Sequence, residues 1–359
     1  MSANKTILTA AAAFAGIFAF LRWYPAFGGM PSRSDRAAYR RRNPQFDGKQ
    51  FRYPEKWELD SGCKDIRVSE KRTVPRDALP VSQPDFREND GLRVTWFGHS
   101  GVLLQAGGKN VLIDPMFSER CFPLQWLGPK RFSHPSVQPH ELPEIEILLL
   151  THDHHDHLDP QTIRALDSKV RHYVVPLGTE THLLRWGIAP EKICRMAWWE
   201  ECTLGGVQIA CCPTRHFSGR RLIDQNRTQW CGYVLRLGRR QIFVSGDGGF
   251  GGHFAEIRRR FGKMELALME CGQYNRRWHF GHLFPEESVK AAEILGAKCA
   301  MPVHWGAFVL SDHAWDDPPE RFVRAAEACG LMTLTPYLCE TVSVEEAAMH
   351  QIRWWREYQ

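Results

Sequence analysis

No two of the 11 cysteines form a Cys-x-x-Cys pair, which argues against a zinc ribbon or a thioredoxin-type motif. Their odd number and wide scatter do not read as a disulfide framework. They suit a reducing compartment, with most thiols buried as small apolar side chains. A large charge excess is also missing. A net +5 over 359 residues calls for no nucleic-acid partner, and the basic residues crowd locally, many of them between Arg22 and Arg76. No short-period repeat is visible. What is there, 43% hydrophobic and 11% aromatic residues, is enough for a sizeable core in one large domain or two smaller ones.

Residues 7–21 are an unbroken run of apolar and small side chains apart from Thr9. Two readings compete for residues 1–24: a membrane anchor, or a signal-like segment with Ala26-Phe27-Gly28 as a cleavage site. Lys5 precedes the run, whereas Arg22, Arg33, Arg36 and Arg40-Arg41-Arg42 follow it. The positive-inside rule then places the bulk of the chain on the cytoplasmic face and favours an uncleaved, membrane-associated segment. Residues 25–90 are rich in Pro, Arg and Asp, show little periodicity, and read as an extended basic arm wrapping the domain.

From residue 91 to 345 the pattern is that of one catalytic domain, with 346–359 as a C-terminal tail. Strands are expected at 94–97, 102–105 and 110–113, then at 144–151, 170–176 and 207–212. A hairpin follows at 231–237 and 241–245, and further strands at 266–269 and 299–303. Helices are expected from Asp159-Pro160 to Leu166, near 182–186, and at 254–260, 285–295 and 318–329. The second half repeats the grammar of the first, and a metal-binding residue type stands at the end of strand after strand.

The sharpest signal is His152-Asp153-His154-His155-Asp156-His157, delivered by the apolar strand at 144–151. Residues at i and i+2 of a loop leaving a strand can converge on one ion, and those at i+4 and i+5 can reach a second. Imidazole and carboxylate suit zinc, which keeps a position open for water in catalytic sites; they also accept iron or manganese. His155 has the wrong phase for ligation and is expected at the surface or against substrate. His172, His182 and His313 have no evident partners. Gly246-Asp247-Gly248-Gly249-Phe250-Gly251 fits a dinucleotide-binding pattern, but its aspartate and late position favour glycines that let the backbone turn beside a metal.

The histidine cluster resembles that of the metallo-β-lactamase superfamily. That resemblance implies an α+β fold, a four-layer αβ/βα sandwich of two facing mixed sheets flanked by helices. It also implies a histidine, a bridging aspartate and a final histidine downstream, which His216, Asp247 and His304 fill. One zinc would then be held by His152, His154 and His216, the other by Asp156, His157 and His304, with Asp247 between them. No cysteine stands at the His216 or Asp247 position, unlike the antibiotic-hydrolysing members.

Longer segments resemble the N-acylphosphatidylethanolamine-hydrolysing phospholipase D family. These include Thr95-Trp96-Phe97-Gly98-His99-Ser100, Asp114-Pro115-Met116-Phe117-Ser118, Gly128-Pro129-Lys130-Arg131-Phe132 and His304-Trp305-Gly306-Ala307-Phe308. The resemblance implies two zinc ions, a phospholipid substrate, a membrane surface as partner, and hydrolysis to phosphatidic acid and an N-acylethanolamine. Asp247 and His282 are the implied catalytic residues. A homodimer is compatible with this reading. A lactonase or carboxylic ester hydrolase of the same fold shares the metal ligands and stays open, as does a non-catalytic, metal-stabilised membrane scaffold.

Overall fold

Strand formation follows the apolar runs closely. The computed structural model describes Gly16, Phe20 and residues 24–55, 72–87, 91–221 and 223–359. The apolar run read as an anchor lies almost wholly outside the described residues, as does part of the basic arm. Among the described residues no helix is long and apolar enough to cross a membrane.

The first half supplies β1 (Arg93–Trp96), β2 (Val102–Ala106), β3 (Lys109–Ile113), β4 (Ile145–Leu149), β5 (Val170–Pro176) and β6 (Ile193–Met196). β1 to β3 form an antiparallel meander, and β3 to β6 run parallel. The second half supplies β7 (Glu201–Leu204), β8 (Val207–Cys212), β9 (Gly232–Leu237), β10 (Arg240–Val244), β11 (Leu266–Glu270), β12 (Cys299–Val303) and β13 (Met332–Thr333). Here too an antiparallel meander, β7 to β10, leads into parallel strands. A last strand, β14 (Thr341–Ser343), returns to pair with β1. The result is two mixed seven-stranded sheets, as the resemblance implied.

Parallel neighbours need crossovers, and helices supply them. Helices Pro160–Leu166, Glu180–Arg185, His253–Phe261, Pro285–Leu295 and Asp317–Cys329 lie between successive parallel strands. β11 and β12 are buried along their whole length, which explains why they read as continuous apolar runs rather than alternating ones. The two halves meet through large side chains: Trp96 stacks on Trp305 with ring centroids 4.8 Å apart, and Trp305 stacks on Trp354 of the C-terminal tail at 5.6 Å. Full burial of one such side chain is worth roughly 3 kcal/mol.

One expectation is corrected here. The arm is not extended throughout, because Arg33–Arg42 is an α-helix. Ser32 caps it: its hydroxyl accepts the Asp35 amide while the Asp35 carboxylate accepts the Ser32 amide. Tyr39 on this helix is buried and donates its hydroxyl to Glu180. The short strands β6, β7, β13 and β14 were not anticipated either.

Candidate metal centre

Each expected ligand sits just beyond the C-terminal end of a strand. β4 leads to the His152–His157 loop, β8 to His216, β10 to Asp247 and β12 to His304. The structure gathers these residues into two neighbouring groups. In one, donor atoms of His152, His154, His216 and Asp247 lie within 4.8 Å of one another; in the other, those of His99, Asp156, His157 and His304 do. Asp247 joins them. Its Oδ2 is 3.7 Å from His152 Nε2 and 3.8 Å from His216 Nε2 on one side, and 3.2 Å from His157 Nε2 and 3.4 Å from His304 Nε2 on the other.

Several rings are oriented from behind. His157 Nδ1 lies 2.8 Å from Asp114 Oδ2, and His216 Nδ1 donates to the Gly281 carbonyl at 2.8 Å. His152 Nδ1 meets the Thr151 hydroxyl at 3.0 Å, and that hydroxyl donates to Asp114. His304 Nδ1 lies 3.1 Å from Ser100 Oγ. With Nδ1 engaged, the Nε2 atoms of these four rings turn towards Asp247. This is how protein shells fix imidazole tautomers for a metal.

The donor set fits cations. His154 Nδ1 lies 2.9 Å from His152 Nε2 and 3.2 Å from His216 Nε2, a crowding of nitrogens that their own protons cannot all satisfy. His157 Nε2 and Asp247 Oδ1 are buried with no hydrogen-bond partner, which is costly unless a further group completes them. Burial pushes His152, His216 and His304 well below the usual histidine range, and His154 down to about 4, which favours the neutral rings that a metal requires. Burial likewise lifts the Asp247 carboxyl to about 6. His157 goes the other way: burial opposes its charge, but the carboxylates of Asp247, Asp156 and Asp114 hold it well above the usual range.

The backbone is bent to reach this arrangement. His99, Asp114 and His304 adopt left-handed φ values of 54°, 39° and 70°, unusual for side-chain-bearing residues. Gly246 has φ 58°, and a Cβ there would stand 2.5 Å from the Cys231 carbonyl oxygen. A Cβ on Gly248 would meet Thr214 Oγ1 at 1.9 Å. These glycines therefore serve the turn that presents Asp247.

His282 lies beside the site. Its ring is parallel to that of His304, with centroids 5.4 Å apart, and edge-on to His216 at 5.0 Å. Three contributors were not singled out from sequence. His99 Nε2 lies 2.7 Å from Asp156 Oδ2, Asp114 supports His157 and Thr151, and Glu270 contacts His282. The available signal was positional, since Asp114 and Glu270 both stand at strand ends. His155 stays off the metal donors, as expected, and is half-buried: its Nε2 lies 2.9 Å from the Arg220 carbonyl, and its ring packs against Phe27 and Phe122. One expectation is corrected. His182 does have a partner, buried Asp153, 3.1 Å away. His313 likewise accepts the Gln273 amide.

The profile of a family described as a β-lactamase superfamily domain matches residues 109–305. An uncharacterised protein of Mycobacterium tuberculosis is 35% identical over 288 residues, covering 79% of this chain and 77% of that one. The mitochondrial N-acyl-phosphatidylethanolamine-hydrolyzing phospholipase D of Saccharomyces cerevisiae is 34% identical over 281 residues, covering 73% of this chain and 59% of the yeast protein. The isothiocyanate hydrolase from Delia radicum gut bacteria shares the fold, with a TM-score of 0.55 at 19% identity over 70% of this chain and 98% of that one. Fold, buried donor groups and sequence likeness agree: the chain belongs to the metallo-β-lactamase superfamily, as a metal-dependent hydrolase with residues for a binuclear centre.

Proposed function

We propose that the protein is a binuclear zinc phosphodiesterase that hydrolyses N-acylphosphatidylethanolamine-type phospholipids to phosphatidic acid and an N-acylethanolamine. The observation that carries the substrate class is the likeness to the yeast phospholipase D-type enzyme, which spans 73% of this chain. His152, His154 and His216 would hold one ion, Asp156, His157 and His304 the other, with Asp247 shared. Zinc bound there supplies Lewis-acid charge and lowers the pKa of water towards neutrality. Asp247, reachable from both groups, holds negative charge at their junction and orients the attacking water. His282 lies against one residue of each group, where it can relay a proton from the attacking water to the leaving oxygen. The deep burial of His152, His157, His216, Asp247 and His304 keeps bulk water from most of the donor set and strengthens their charge interactions.

A membrane-associated enzyme on the cytoplasmic face is part of this proposal. The apolar run at 7–21 supports it, and so does a set of exposed side chains close to where that run ends. Phe20 stacks on Tyr24, and both approach Phe27, which packs against Phe122. The loop beyond Phe122 carries Trp126, 75% exposed, and Leu127. Aromatic and aliphatic side chains in such a patch suit the headgroup boundary.

The test is product analysis on the purified, metal-analysed protein, offered N-acylphosphatidylethanolamine in mixed micelles and a panel of lactones side by side. Release of phosphatidic acid with an N-acylethanolamine is expected, together with close to two zinc per chain and loss of turnover in Asp247→Asn. Turnover of lactones alone would overturn the proposal.

A further inference from the structure

Glu270 is the last residue of β11 and is fully buried. Its Oε2 lies 2.9 Å from His282 Nδ1. Its Oε1 accepts the Gly248 amide at 2.5 Å and the Leu283 amide at 3.3 Å. The carboxylate thus ties together the residue after Asp247, the residue after His282, and the His282 ring. Its own backbone is clamped, because its amide donates to Ser245 Oγ and its carbonyl accepts Ser288 Oγ. A buried carboxylate is expensive unless its oxygens are filled by donors. Here two amides fill one oxygen, and the His282 ring faces the other.

We propose that Glu270 is the positioning residue of His282, holding the ring in the tautomer that carries its proton on Nδ1 and presents a bare Nε2 to the metal centre. This rests on the hydrolytic reading of the site. A ring with a bare Nε2 can take the proton of the incoming water and then hand that proton to the leaving oxygen. The opposite tautomer offers only an N–H there. The parallel stacking of His282 on His304 and its edge contact with His216 fix the plane of the ring. Glu270 then decides which nitrogen carries the proton. The same logic, in which a buried carboxylate sets an imidazole tautomer, underlies Ser-His-Asp triads.

Glu270→Gln is the discriminating variant. The amide oxygen of glutamine can keep both backbone N–H donors, but its NH2 group cannot accept from an imidazole N–H, so His282 must move its proton to Nε2. Long-range proton–nitrogen NMR on histidine-labelled, metal-loaded protein, with the His282 signals assigned by their loss in His282→Gln, should show Nδ1–H in the wild type and Nε2–H in Glu270→Gln. Metal content and Tm should match the wild type. On bis(p-nitrophenyl) phosphate, kcat should fall by about 100-fold with KM within about twofold. Glu270→Gln/His282→Gln should be no slower than His282→Gln alone.

An unchanged tautomer in Glu270→Gln overturns the assignment. So does a loss of bound metal matching the loss of activity, since Glu270 would then serve the ions directly. If Glu270→Gln does not fold, a wild-type spectrum with His282 protonated on Nε2 overturns it equally. If the wild type turns over no phosphodiester, the proposed substrate class fails, while the tautomer measurement still decides the role of Glu270.

Discussion

Asp114 accepts three hydrogen bonds at once, from the Thr151 amide, the Thr151 hydroxyl and the His157 ring. It touches none of the open nitrogens of the centre, yet it sets where two of the rings point. Asp114→Asn replaces one accepting oxygen with a donor facing an N–H or O–H, and loss of such outer contacts typically costs 10–100-fold in metal affinity. Competition with a chromophoric chelator should therefore show one ion bound about tenfold more weakly or worse; unchanged affinity for both would refute this role. A second residue-scale effect lies outside the centre. Burial and the nearby Arg215 push His253 from the ordinary 6.5 down to about 3. The unfolded chain then takes up the proton first, so the contribution of this ring to stability is complete above pH 6.5 and is lost as pH falls towards 3. His253→Phe should flatten the acid limb by up to about 1.4 kcal/mol per pH unit between about pH 6 and pH 4. Urea midpoints that fall in parallel for variant and wild type would show that another group controls this limb.

At the scale of elements, the helix Pro160–Leu166 shows how local chemistry serves the centre. Asp159 caps it, accepting the Gln161 and Thr162 amides as well as the hydroxyls of Ser118 and Thr162. The cap lies directly after the histidine loop, so it holds the exit of that loop. Asp159→Ala should cost about 1–2 kcal/mol and weaken metal binding at the same time. Urea unfolding of the metal-free protein isolates the first effect, and a variant as stable as wild type in that assay would exclude it. This helix was legible because Asp-Pro is a strong start signal. The helix Arg33–Arg42 was not, because Tyr39 is its one buried side chain and a single anchor makes no period. The strands β13 and β14, two and three residues long, carry no local signal either. They exist because distant partners offer them hydrogen bonds.

For the molecule as a whole, the candidate metal centre is also a joint. It draws donor residues from both sheets, and the turn at His99 is bound to β12's exit by reciprocal backbone hydrogen bonds between His99 and both His304 and Trp305. A ligand that binds only the folded state stabilises it by about 4 kcal/mol at a thousandfold excess over Kd. Stripping metal with a chelator should lower Tm by several degrees, with recovery on adding zinc back. A chelated protein that melts with the untreated one would show that these residues hold no metal in solution. The exposed loop offers a separate test. Trp126→Ser with Leu127→Ser should reduce sedimentation with anionic phospholipid vesicles by at least about tenfold, while turnover of bis(p-nitrophenyl) phosphate stays unchanged. Equal sedimentation would remove this loop from the membrane surface.

The sequence alone determined the alternation of strands and helices and the metal chemistry. Both are written in short-range patterns: apolar runs, an Asp-Pro start, and a six-residue cluster whose spacing places ligands on two sides of one loop. Which residues stand behind those ligands was decided by tertiary structure. His99, Asp114 and Glu270 are single residues in their segments, with no spacing partner to mark them. They become informative only when three turns from different strands, two of them at left-handed residues, bring them within hydrogen-bond reach of His157, Asp156 and His282. Hydrogen bonds are read across space, and the sequence orders its residues along the chain.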